Sequence, residues 1–151
     1  MFINIQNISS IQKMLSGLSE DSIANFGQMN AQQMVEHLSL VLQISQGKQK
    51  AMLSISEEHL PKFRAFLYSS NPIEPGFKSK AVTAETLTLK HPDIEMAKES
   101  LVLELKSFFK YYMANPRAEH MNPTFGMLNF GEWIIFHNKH FTHHFRQFKL
   151  C

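Results

Sequence analysis

The chain has 151 residues, of which 44% are hydrophobic and 13 are phenylalanine, and its 15 basic and 13 acidic residues leave a formal charge of +2. That is enough apolar material for one domain with its own core and too much for a disordered chain. The scattered, nearly balanced charge leaves no electrostatic footprint for nucleic acid, no run of ~18 apolar residues offers a membrane span, and a single cysteine, Cys151, excludes an intramolecular disulfide.

The first residues, Met1-Phe2-Ile3-Asn4-Ile5, lack the basic and apolar regions of a secretion signal, so a soluble, cytoplasmic protein is expected. Helical periodicity predicts a short helix from about Ser10 to Leu18, with Ile11, Met14, Leu15 and Leu18 on one side. Ser19-Glu20-Asp21 then opens a short helical or turn segment. A longer helix begins at Asn30, where Gln33 three residues on completes a capping box. Met34, His37, Leu38, Val41, Leu42 and Ile44 follow at helical spacing up to Gly47. A third helix is expected from Ser54-Ile55-Ser56-Glu57-Glu58 through Leu67, with Pro61 tolerated in its first turns.

From Asn71 to Pro92 no period persists, and Pro72, Pro75, Gly76 and Pro92 punctuate the segment. An irregular connection of this length either forms part of a pocket wall or is a plain crossover between helices. A short strand around Thr86 to Leu89 fits the pattern weakly. A fourth helix runs from about Asp93 to Met113, with Met96, Leu101, Leu103, Leu105, Phe108, Phe109 and Tyr112 as its buried stripe. A turn-rich loop follows, from Asn115-Pro116 to Asn122-Pro123-Thr124-Phe125-Gly126. The last helix opens on a second capping box, Asn129 and Glu132, and carries Trp133, Phe136, His140, His144 and Phe148. The pattern is all-α, a helical bundle with one long crossover and a single domain over 1–151.

That last helix holds four histidines in eight residues, His137, His140, His143 and His144, where the overall frequency of 8 in 151 would give about 0.4. Residues four apart share one helix face, about 6 Å apart along the axis, so the rings of His140 and His144 can converge on one ion. Neutral imidazole ligates zinc, nickel, copper and iron. A third ligand is expected from a facing helix, and His37, mid-helix in an apolar stripe, is the candidate. The alternative is that histidines near a helix C-terminus answer the macrodipole and that His37 is a core histidine with an ordinary partner. His137 shares the face of the pair but lies almost two turns from His144, which suggests the mouth of a pocket. His143 points about 80° away and reads as a surface or packing residue. Gln147, one turn beyond His144, is a candidate pocket contact, and Glu36 faces about 100° away from His37.

These residues resemble a known family. His140-Phe141-Thr142-His143-His144-Phe145-Arg146-Gln147 resembles the last-helix motif of the DinB-like/YfiT-like superfamily of metalloenzymes. Met29 through Leu38, with His37, looks like the segment that holds its first metal histidine. Asn122-Pro123-Thr124-Phe125-Gly126 followed by Glu132-Trp133 looks like an uncharacterised subfamily in which a His/Asn-Pro-x-Phe-Gly loop precedes the last helix. The likeness spans about Met29 to Leu150. It implies a four-helix bundle with up-down-down-up order and a long crossover. It also implies a divalent metal, zinc or nickel, on His37, His140 and His144, and a homodimer. Characterised branches use bacillithiol, mycothiol or glutathione, so the resemblance implies a metal-dependent, thiol-dependent S-transferase or a hydrolase. A non-enzymatic, stress-related module binding metal or a small ligand is the competing expectation. Neither nucleic acid nor membrane is expected as a partner.

Overall fold

The computed structural model describes residues 1–77 and 87–151. These residues are mostly helical, with one two-stranded sheet among them. Helix α1 (Ile8–Leu15) starts and ends earlier than periodicity predicts. The Asn7 side chain caps it by accepting from the Ser10 amide, and at its far end the Lys98 ammonium donates to the carbonyls of Leu15 and Leu18. A cation on the last carbonyls of a helix answers its dipole and its unpaired acceptors together. Ser19 to Ser22 form a turn closed by Ser22 N–H to Ser19 O, 3.1 Å, and no further helix.

Helix α2 (Ala31–Ser45) carries the expected capping box, with Gln33 N–H on Asn30 Oδ1 at 2.8 Å and Asn30 N–H on Gln33 Oε1 at 2.9 Å. The expected third helix is shorter than its pattern. Glu57–His59 form a single 3-10 turn and helix α3 (Leu60–Tyr68) follows, with Pro61 in its first turn. Ser54 is unavailable for helix because its amide and hydroxyl both donate to Pro123 O, at 2.8 and 2.9 Å.

Helix α4 (Ile94–Ala114) is capped by Asp93 and lies along α2. Two residues of its expected buried stripe face outward: Met96 is 49% and Leu103 64% exposed. The residue-to-residue step of ~100° places Leu103 nearly opposite Leu101 and Leu105, which are both buried. The α2–α4 seam is polar at its end, where Gln43, Gln46 and Lys48 all reach the Glu104 carboxylate and the Tyr112 hydroxyl donates to Ser45 O.

The turn-rich loop contains a hairpin. Strands β1 (His120–Asn122) and β2 (Gly126–Leu128) pair antiparallel with His120 opposite Leu128 and Asn122 opposite Gly126. The Asn122 side chain accepts from the amides of Thr124 and Phe125, which builds the turn, and Gly126 takes φ +80°, a conformation glycine adopts without a Cβ penalty. The possible strand near Thr86 to Leu89 is absent at 87–89, and Thr86 lies outside the described residues.

Helix α5 (Phe130–Gln147) opens on the second capping box, Asn129 with Glu132, and packs against α2 and α3. Its remaining face is covered by the first residues of the chain, where Ile3 N–H donates to Thr142 Oγ1 (2.7 Å) and Ile5 N–H to Asn138 Oδ1 (3.0 Å). Surrounded in this way, α5 buries eleven of its eighteen residues, including His137, Lys139, His140 and His144. Among the described residues no helix is long and apolar enough to cross a membrane.

Candidate metal centre

His37 projects from α2 and His140 and His144 from α5, and the three rings meet. Their centroids lie 4.7 to 4.9 Å apart with interplanar angles of 69° to 78°, so the rings stand steeply to one another around one point. His140 Nε2 is 2.9 Å from His37 Nε2 and 3.1 Å from His144 Nε2. All three side chains are buried.

Hydrogen bonding alone cannot account for this contact. A neutral imidazole nitrogen has either one proton or one lone pair, so His140 Nε2 can make one good hydrogen bond and not two. Protonating a ring is also opposed. Burial pushes the pKa of His37 down to about 4, helped by repulsion from His143. Burial, then the neighbouring histidines, hold His140 and His144 well below the ordinary value. Three neutral rings with converging nitrogens are a donor set for a cation. A tetrahedral ion with bonds of about 2.0–2.1 Å spaces its ligand nitrogens roughly 3.3 Å apart; the two spacings to His140 are a little shorter, and all three ligand atoms lie within 4.8 Å of one another. The residues therefore fit a divalent metal.

The tautomer of His144 follows from its neighbours. The Gln147 amide donates through Nε2 to Phe26 O at 2.8 Å, which turns its Oε1 towards His144 Nδ1, 2.9 Å away. His144 must then carry its proton on Nδ1, leaving the Nε2 lone pair towards the other two rings. Gly27, at φ +79°, makes room for this contact: a Cβ there would lie 2.5 Å from Gln147 Nε2. The Nδ1 atoms of His37 and His140 are buried without a partner among the described residues.

The three imidazoles form part of the wall of a cavity of about 660 Å³ between α2, α3, α5 and the hairpin. Gln147 lines it as expected, and so do Ile73, Glu74, Gly76 and Phe77 from the long connection. Residues 78–86 of the expected crossover lie outside the described residues.

Two histidines sit elsewhere than their spacing suggests. His137 is fully buried and lines no part of the cavity. It stacks on Trp133 and meets Phe108 edge-on, and its Nε2 lies 3.1 Å from Ser45 Oγ. The Ser45 hydroxyl already donates to Leu42 O, so His137 Nε2–H is the donor of that pair. The same helix face that is open to the cavity at His140 is covered by aromatic side chains one turn earlier. His143 makes the opposite move. Read as a surface or packing residue, it lines the cavity, donates from Nδ1 to Ile73 O (3.1 Å) and packs against Phe26. Only the fold of residues 69–77 over α5 brings Ile73 there, and no local pattern announces it. A scan of protein-family models, a search of curated proteins and a search of solved structures each find no match to this chain.

Proposed function

We propose that the protein is a divalent-metal-dependent enzyme, a thiol-dependent S-transferase or a hydrolase, with His37, His140 and His144 as metal ligands. The observation that carries this reading is the convergence of three neutral imidazoles, their ligand atoms within 4.8 Å of one another and His140 Nε2 2.9 and 3.1 Å from the other two, on the wall of a cavity that a small molecule can enter. Zinc or nickel suits such a nitrogen donor set, and three protein ligands leave a position for a nucleophile. A bound divalent cation would lower the pKa of a coordinated thiol or water, supplying thiolate or hydroxide near neutral pH.

The chain's own residues prepare that chemistry. Burial keeps the three imidazoles neutral, so their lone pairs are available at neutral pH. Gln147 holds His144 in the ligating tautomer. The helix order, with residues 69–93 joining α3 to α4, supports the finer reading of the fold as a DinB/YfiT-like four-helix bundle with a long crossover. The homodimer that this resemblance implies is tested by sedimentation at micromolar concentration.

The decisive measurement uses protein purified without an affinity tag. Metal analysis should find one equivalent per chain. Turnover in a panel of low-molecular-weight thiols with electrophiles, and of hydrolysable esters and amides, should be lost in His140→Ala. Unchanged turnover after complete metal removal rules the mechanism out. Metal retained without turnover in any assay would favour a non-enzymatic metal- or ligand-binding module.

A further inference from the structure

Six of the chain's 13 phenylalanines, Phe26, Phe63, Phe66, Phe77, Phe125 and Phe136, line the one cavity that holds the histidines. They are not scattered over it. Phe125 stacks parallel to Phe66 (11° between planes, centroids 6.4 Å), meets Phe63 edge-on at 6.3 Å, and leans on Phe136 at 5.7 Å. Phe136 in turn stacks on the His140 ring at 5.0 Å and 25°. A continuous aromatic wall therefore runs from α3 through the hairpin turn to a ligand imidazole.

The polar members of the wall are largely committed within the protein. Asn122 Oδ1 holds two backbone amides, and Gln147 is engaged at both its oxygen and its nitrogen. The exposed charges at the opening, Lys62 and Glu74, are opposite in sign, so the described rim gives no preference for a charged molecule. An open cavity with aromatic faces is a liability to a folded chain unless an apolar ligand uses it.

The geometry points to a substrate with a flat, uncharged aromatic body that lies along the Phe63–Phe125–Phe136 wall, carrying one metal-ligating head that reaches the three imidazoles. This inference deepens the proposed function and rests on it for the head; the body rests on the cavity alone. Offset stacking and edge contacts select flat rings over branched aliphatic groups of equal area, and the seat beside His140 fixes the distance from ring to head.

Three probes separate body from head. On protein loaded with one zinc per chain, naphthalene-2-hydroxamate should bind about 100-fold more tightly than acetohydroxamate, which has the same head and no body. N-phenyl-1-naphthylamine, a body without a ligating head, should bind metal-free protein with a rise in fluorescence. Ile44→Phe and Val41→Phe fill the cavity from α2 without removing a ligand. They should reduce the 100-fold advantage to less than tenfold and abolish the fluorescence rise, with zinc stoichiometry unchanged. Circular dichroism and zinc content identify a variant that fails to fold, and the two variants are independent. Equal affinity for the two hydroxamates on zinc-loaded protein overturns the inference and leaves the metal reading standing. Failure to bind zinc, with the fluorescence rise present and blocked by the filling variants, overturns the metal reading and the head while supporting the aromatic body. Fluorescence unaffected by both variants overturns the body's placement.

Discussion

His140 occupies the pivotal position among the three rings because its Nε2 is the nitrogen close to both others. Its replacement by alanine should lower metal affinity at least 100-fold, measured by competition with a chelator on tag-free protein. Gln147→Ala is the subtler test. It removes the oxygen that fixes the His144 tautomer and should weaken metal binding by about 10- to 100-fold with the helix content unchanged. Gly27→Ala should reproduce part of that loss from outside the centre, since its Cβ would displace the Gln147 amide. The three histidines that converge were legible in the sequence, because i,i+4 spacing on a helix and a lone histidine in an apolar stripe are local signals. The Gln147 contact with Phe26, and the turning of His143 into the cavity, were not. Both depend on segments 121 and 70 residues away in the chain.

At the scale of elements, Glu132 closes the capping box of α5 and also accepts from Arg64 and Tyr68 of α3. Arg64 further donates to Phe125 O and Met127 O, so one carboxylate fastens the first turn of α5, the hairpin and α3 together. Burial would raise the carboxyl pKa, but the hydrogen bonds from Tyr68 and the Asn129 amide, with the Arg64 charge, outweigh it and hold it below the usual value. Glu132→Ala should destabilise the protein by about 1–3 kcal/mol in urea unfolding, because it removes a cap and the carboxylate shared by Arg64 and Tyr68. The capping box was visible as Asn129-x-x-Glu132, yet nothing near Arg64 marks it as the partner. The hairpin was also hidden: three-residue strands are too short to display alternation, and the prolines around them read as loop. Caps and helix spans could be found where the signal was local, while the start of α3 shifted because Ser54 is held by Pro123, a distant partner.

For the molecule as a whole, buried neutral histidines set the response to acid. Burial lowers His137 to about 3. The unfolded chain takes up its proton near 6.5 and the folded chain does not, so between these values the unfolded state binds more protons and stability falls as pH falls; above the unfolded value the effect vanishes. For His137 alone the loss between pH 7 and pH 5 is about 2 kcal/mol. Urea unfolding of metal-free protein should show His137→Phe losing less stability than the parent over that interval; equal losses would remove His137 from the account. The least exposed lysine among the described residues gives the same unfolding equilibrium a chemical readout. Lys139, 2% exposed, donates to Ser69 O and Asn71 O and sits over the rings of Phe2 and Phe66. An acylating reagent that modifies the surface amines within minutes should reach this one only when the chain opens. The peptide that contains it therefore serves as an internal clock for opening, read by mass spectrometry without a dye or an engineered label.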